Sequence, residues 1–229
     1  MRVLAIECST LWLAVAAGDE TGFREYREHA VQAHSQRVLP LVQTALAECG
    51  WSLSQLDGVA FGAGPGSFTG VRIACGVAQG LALGAGLLVV PVATLEALAE
   101  DAWRMHGATR VFACLDARMR EVYIGAYQRV DDAWHEALAP DVRKPADIVW
   151  PPGTWFGAGE GFAAYPELAG RPALDGIDAT LVPSASSVAR LAIAALTHGR
   201  GVPPEDALPR YVRHRVALTT LERAQGAVL

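Results

Sequence analysis

The sequence predicts an α/β fold of two related lobes, each built on a mixed sheet. Three observations carry this. Apolar runs of strand length alternate with longer segments of helical periodicity. AIECSTLWLAVAAG near the start and CLDARMREVYIGAY near the middle share one plan: an apolar strand reaching an acid, a turn, then a second apolar strand. Finally, 229 residues with 52% hydrophobic content are ample for buried cores.

The elements follow in order. Val3 to Cys8 and Trp12 to Ala17 read as a hairpin turned at Ser9 and Thr10, with Phe23 to Val31 as a third, more charged strand. Ser35 is expected to cap a helix whose apolar positions Val38, Leu41, Val42, Ala45, Leu46 and Cys49 keep helical spacing until Gly50. Pro40 lies near its start, where a missing N–H does least harm. Gly58 to Gly62 is a short strand that leads through GAGPGSFTGVR into a long helix with Ser67 as its N-cap and a stop at Gly84 or Gly86. Leu87 to Val90 then reads as a strand closed by Pro91, and Thr94 to His106 as a helix closing the first lobe, residues 1–107.

The second lobe, residues 108–229, opens with strands at Val111 to Ala117 and Glu121 to Arg129. Beyond them WPPGTWFGAGEGF suggests a strand and turn. Ser187 to His198 reads as an amphipathic helix, and Gly199 to Pro209 as a loop leading to a basic tail. Ile73 to Ala93 has the length and apolarity of a membrane span. Its glycine stops and the strand signal at Leu87 favour a buried helix, turn and strand, so no membrane association is expected.

Composition removes several function classes. A formal net charge of −5 lacks the basic footprint of a freestanding RNA binder. Cys8, Cys49, Cys75 and Cys114 form no C-x-x-C pair and have no histidines at ligand spacing, so neither zinc nor a disulfide framework is expected. They read as buried thiols of a reducing, cytoplasmic compartment. MRVLAIECST reaches Glu7 too soon for a signal peptide, which makes export unexpected. His29 and His34 are five apart, H-E-x-x-H is absent, and no G-x-S-x-G elbow occurs, so neither a metalloprotease nor a serine hydrolase is written locally.

GAGPGSFTGVR could present backbone N–H groups to phosphate at a helix N-terminus, but it lacks the P-loop lysine, and Arg72 follows Val71 instead. A turn that packs strand closely on helix is the commoner reading of such glycines, and of GAGEGF at Gly157 to Phe162. Glu7 and Asp116, at matching hairpin turns, are candidates to flank a nucleotide or phosphate cleft with Ser67, although a lone acid at a turn is ordinarily solvated and Ser67 ordinarily a cap.

The helix after Ser67 is apolar all round. Gly76, Gly80 and Gly84 recur every fourth residue and share a face with Ile73, Val77 and Leu83, while Ala74, Ala78, Leu81, Ala82 and Ala85 lie opposite. One face can meet the sheet. The other needs either the Ser35 to Cys49 helix or a partner. In the tail, Arg210, Arg213, His214, Arg215 and Arg223 make a local basic patch, either ordinary surface or a contact for RNA or an acidic partner.

GPGSFTGVRIACGVAQGLALG, HSQRVLPLVQ, LAIECST, LDARMREVYIGAY and PRYVR together closely resemble the TsaB (YeaZ) family, most strongly from Met1 to about Tyr127 and at the tail. The resemblance implies a two-lobed actin-like ATPase (ASKHA, ribonuclease H-like) architecture with a reduced second lobe. It also implies a non-catalytic subunit that binds and supports TsaD, which transfers a threonylcarbamoyl group to N6 of adenosine 37 in tRNAs reading codons that begin with A. TsaE joins that assembly, and TsaC makes the threonylcarbamoyl-adenylate. The implied interface lies on the two helices at Val38, Leu41, Val42, Ala45, Leu46, Ile73, Gly76, Val77, Gly80, Leu83 and Gly84, with a homodimer when TsaD is absent. TsaD-like proteins hold a metal through an H-x-x-x-H pair that this sequence lacks, so ATP and metal are expected on partner subunits, with no cofactor here. Arg210, Arg213 and Arg215 are candidate tRNA or partner contacts. The sequence departs from the family in carrying Glu7 where Asp is common. Two rival classes stand beside this reading: an independent ATP-dependent kinase-like enzyme, which needs a complete phosphate cleft, and a glycoprotease-type peptidase, which needs a metal pair or an activated nucleophile.

Overall fold

The computed structural model describes residues 1–171 and 173–213. Its strands are β1 (Val3–Glu7), β2 (Trp12–Asp19), β3 (Gly22–His29), β4 (Gly58–Gly62) and β5 (Leu88–Val92) in the first sheet. The second holds β6 (Arg110–Arg118), β7 (Glu121–Val130), β8 (Ala133–Arg143), β9 (Trp155–Ala158) and β10 (Leu174–Asp178). The helices are α1 (His34–Cys49), α2 (Phe68–Ala85), α3 (Thr94–His106), the single-turn α4 (Gly161–Ala164) and α5 (Ala185–Thr197).

Both sheets have the same topology. In the first the order is β3-β2-β1-β4-β5, with an antiparallel meander on one side of β1 and parallel β4 and β5 on the other. In the second the order is β8-β7-β6-β9-β10, again a meander beside parallel strands. The echo between the two sequence openings is therefore a duplicated sheet plan. Mixed sheets with helices on their faces are the expected α/β class.

The first sheet is covered on both faces, which explains why β1 reads as an unbroken apolar run. Leu4 and Ile6 join the core under α1 and α2, while Val3 and Ala5 join the core under α5. The second sheet has α3 on one face, with Leu95, Leu98 and Ala102 against Val111, Ala113 and Leu115. Its other face is closed by short segments, through Ile148, Phe162 and Leu168. Where the first half places α1 and α2, the second has 3-10 turns and the four-residue α4, so the second lobe is reduced.

Helices and sheets are exchanged at the expected boundary. A cut at residue 107 separates the strands of the two sheets, yet α3 from before it covers the second sheet and α5 from after it covers the first. The exchange is fastened by Asp101 of α3. Its carboxylate accepts from the Ser184 N–H at 2.9 Å, the Ser184 Oγ at 2.6 Å and the Ser187 Oγ at 2.7 Å, at the N-terminus of α5. Burial raises its pKa to about 6 against those hydrogen bonds.

Several local expectations need adjusting. α1 begins at His34 with Ala33 at the cap position and no side-chain cap, so Ser35 lies inside the helix. Pro91 sits within β5 rather than closing it, which an edge strand tolerates. β8 and β10 carry little apolar signal, as edge strands that bury at most one face. α2 is long and apolar enough to cross a membrane. It is also the crossover between β4 and β5, parallel neighbours in one sheet, and its Ala74, Ala78 and Ala82 are buried against that sheet.

Candidate functional site

Two features stand out, a cleft and an uncovered helix face. The cleft has a volume of about 940 Å³ and lies where the β1–β2 turn, the N-termini of α1 and α2, the β6–β7 turn and the segment 210–213 converge. GAGPGSFTGVR forms one wall. Its glycines are needed for close approach: a Cβ on Gly70 would sit 1.9 Å from the Cys8 carbonyl oxygen, so the first turn of α2 can rest on the end of β1 only without a side chain there. Ser67 is the N-cap of α2, accepting from the Gly70 N–H at 3.2 Å. In GAGEGF, Gly159 has φ +114° and packs against the Cys114 carbonyl, the corresponding close turn on β6.

Of the three residues expected to flank a nucleotide or phosphate site, Ser67 and Asp116 line the cleft and Glu7 does not. Glu7 is 2% exposed, not a solvated turn residue. Its Oε1 accepts from the Ser9 N–H at 2.5 Å, while Oε2 has no partner and lies where a Cβ on Gly62 would stand. Burial, only partly offset by the Ser9 hydrogen bonds, raises its pKa to about 7. Asp116 is held at home: its carboxylate accepts from the Arg118 N–H at 2.8 Å and pairs with the Arg118 guanidinium at 2.9 Å. The two acids therefore do not face each other across a metal site. No group of three or more metal-ligating side chains occurs among the described residues.

The basic tail is only partly a free surface. Arg213 is paired with Glu121 at 2.6 Å and its side chain is 12% exposed, which corrects the expectation of an exposed nucleic-acid contact at that position. Arg210 is exposed on the cleft rim, with its backbone N–H bonded to the Ala63 carbonyl at 2.7 Å. Arg215, with His214 and Arg223, lies outside the described residues. Arg72 stacks on Phe68, its guanidinium carbon 3.8 Å from the ring centroid, and donates to the Tyr211 hydroxyl at 2.8 Å.

The second feature is the outer face of α2. A Cβ placed on Gly76, Gly80 or Gly84 meets nothing within 4 Å, and Leu83 is 73% exposed. Ile73 and Val77 are half-buried at the edge of this face. α1 therefore does not cover the stripe. The expectation for α1 itself is corrected: Val38, Leu41, Val42, Ala45 and Leu46 are buried in the core against the first sheet and cannot also meet a partner. The outward side of α1 carries Leu39, Pro40 and Gln43 instead.

The sequence expectation omits Ser9 and His34 from the cleft, while it includes Asp116 at the β6–β7 hairpin. Met119 and Arg120 occupy left-handed backbone, φ 55° and 61°, where Asn-Gly would have been the usual signal. His34 showed itself only as the first residue of HSQR, just before an expected helix.

A family model described as "TsaD: tRNA N6-adenosine threonylcarbamoyltransferase" matches residues 27–207. The chain is 42% identical over 224 residues to the Escherichia coli "tRNA threonylcarbamoyladenosine biosynthesis protein TsaB", covering 95% of this chain and 96% of the relative. It is 35% identical to the Haemophilus influenzae protein of the same description, over 94% of this chain and 95% of that one. A solved structure described as YeaZ from Pseudomonas aeruginosa superposes with a TM-score of 0.85 at 42% identity, covering 92% of this chain and 99% of the other.

Proposed function

The chain belongs to the TsaB (YeaZ) family, and from that premise we propose that it serves tRNA threonylcarbamoyladenosine synthesis as a non-catalytic subunit that docks TsaD on the outer face of α2. The observation that carries this reading is the uncovered stripe of Gly76, Gly80 and Gly84 beside exposed Leu83. An apolar helix whose second face has no cover among the described residues exposes surface whose burial would drive association. Glycines every fourth residue let a partner helix approach closely.

The non-catalytic part of the reading is supported by what the candidate chemical groups already do. Ser67 is a helix cap, Glu7 is enclosed beneath Gly62, and Asp116 is paired with Arg118. ATP and metal then belong to the partner subunits, and tRNA is reached through the assembly, with TsaE joining it and Arg210 available at the cleft rim. In the absence of TsaD the same α2 face pairs two copies of this chain. The compartment is the cytoplasm, consistent with unpaired Cys8, Cys49, Cys75 and Cys114.

The test is co-elution of the purified chain with TsaD, beside ATPase and peptidase assays of the chain alone. The expected result is a stable complex and no turnover. Failure to bind TsaD, or turnover abolished by Asp116→Ala, would overturn the proposal.

A further inference from the structure

Residues 207–213 follow the 3-10 turn Pro204–Asp206 and have no regular secondary structure, yet they are fastened to both lobes. On the first lobe the Ala207 carbonyl accepts from the Cys75 thiol at 3.2 Å and from Gln79 Nε2 at 3.0 Å, both on α2. The Arg210 N–H donates to the Ala63 carbonyl at 2.7 Å, just after β4. Tyr211 packs on Phe68 with ring centroids 5.8 Å apart, and its hydroxyl accepts from Arg72 Nε at 2.8 Å. On the second lobe Arg213 pairs with Glu121 at 2.6 Å and lies 5.7 Å from the Tyr123 ring centroid, both on β7. The segment therefore runs along α2 against the helix direction, lines the cleft and ends on the second sheet.

Such a connection couples the elements it touches only if it has a fastened and a released state. Residues 207–213 are suited to release. Ala207 is their one buried member, while Leu208 is 63% exposed and Tyr211 48% exposed. Their hold comes from a few polar contacts rather than from a packed core, and segments of that kind open at much lower free energy than core strands.

The fastening that a docked partner can reach is Arg72. Phe68, Arg72, Gly76, Gly80 and Gly84 form one row at i, i+4 spacing along α2, so the exposed Arg72 stands at the end of the glycine stripe. A helix laid on the stripe meets that guanidinium. Its planar fork suits a carboxylate, and a carboxylate accepts more strongly than the neutral Tyr211 hydroxyl that now takes Nε. An acidic side chain on the partner thus competes with the strongest polar contact of Tyr211, two residues before the fastening at Arg213.

We propose that residues 207–213 are a strap that couples the outer face of α2 to the second lobe: a partner carboxylate that takes Arg72 releases Tyr211, and the release loosens the hold of Arg213 on β7. This rests on the reading of that face as the TsaD docking surface and adds regulation to it, since docking and the grip of the strap oppose each other. By linkage, a strap loosened in advance strengthens docking by the factor by which docking loosens the strap.

The test combines TsaD affinity of the full chain with hydrogen exchange at its backbone amides, free and in the complex, with thermal unfolding to check that each variant is folded. Tyr211→Phe keeps the ring on Phe68 and removes only the acceptor, and it should bind TsaD roughly fivefold tighter or more. Glu121→Gln weakens the far fastening and should also tighten binding. Arg72→Ala should weaken it. In the complex the Arg210 amide should exchange faster than in the free chain, although TsaD covers the neighbouring helix. The strap is overturned if Tyr211→Phe and Glu121→Gln bind no more tightly than the unaltered chain, if Arg72→Ala binds as well, or if docking slows exchange at Arg210. Gly80→Leu separates this from the reading it rests on. Undiminished TsaD binding by that variant removes the docking face and the strap together, whereas its loss of binding beside unchanged affinity in Tyr211→Phe and Glu121→Gln removes the strap alone.

Discussion

Replacing Gly80 by leucine separates the outer face of α2 from its inner face. Gly80 is exposed in the middle of the helix, and a Cβ there meets nothing within 4 Å, so the chain alone offers no clash. The backbone change favours the fold, since leucine exceeds glycine in helix propensity by about 0.7 kcal/mol. For a chain of this size that raises the unfolding midpoint by roughly 2 °C. At a close helix contact the added side chain must instead be accommodated by displacement, at a typical cost of about 1–3 kcal/mol. Association with TsaD should then weaken roughly 5- to 150-fold. The control is Ala78→Leu, two residues away in sequence and on the face that is fully buried against the sheet, where the same overpacking should lower the midpoint. Thermal unfolding and a binding titration against TsaD read the two effects separately. A folded Gly80→Leu chain with undiminished affinity would refute the placement of the partner on this face.

Glu7 should make stability depend on pH. Its folded pKa, about 7, lies above the ordinary 4.5, so its stabilising contribution is complete below about 4.5 and is lost as pH rises through about 7. The shift corresponds to roughly 3 kcal/mol by pH 8, and Glu7→Gln should flatten that slope in denaturant unfolding at pH 5 and pH 8. An unchanged slope would remove Glu7 as its source. Asp101→Ala should destabilise the chain by about 2 kcal/mol, because Ser184 and Ser187 lose their acceptor, with Asp101→Asn less damaging; equal stability in urea would contradict the role given to this fastening. Arg213→Ala should cost on the order of 1 kcal/mol through its half-buried pair with Glu121 and should leave the salt dependence of tRNA modification unaltered. A reduced salt slope would return Arg213 to the set of nucleic-acid contacts.

Much of the fold was legible because the first sheet buries both faces of its strands. Val3 to Ile6 and Gly58 to Gly62 are unbroken apolar runs, and the helix expected over Thr94 to His106 has those bounds in the structure. β8 and β10 were not legible, since an edge strand with one packed face needs little apolar content and tolerates Pro140. Periodicity marks which side of α1 is apolar but not what it touches, so Val38 and Leu46 could equally have faced a partner or the sheet. The cleft was half legible. Ser67 and Asp116 announced themselves by motif, whereas His34 and Ser9 reach it only because α1 and the β1–β2 turn are folded beside α2. The burial of Glu7 depends on Gly62 lying across from it in the neighbouring strand, a relation no local pattern contains.

The central claim is that this chain supports threonylcarbamoyl transfer without performing it. Its most direct test is to assemble TsaC, TsaD and TsaE with tRNA, ATP, threonine and bicarbonate, and to measure modified adenosine with and without this chain. The account predicts robust modification with the chain, near-background modification without it, and a loss with Gly80→Leu that parallels the loss of TsaD binding. Equal modification in its absence, or full support from a variant that no longer binds TsaD, would contradict it.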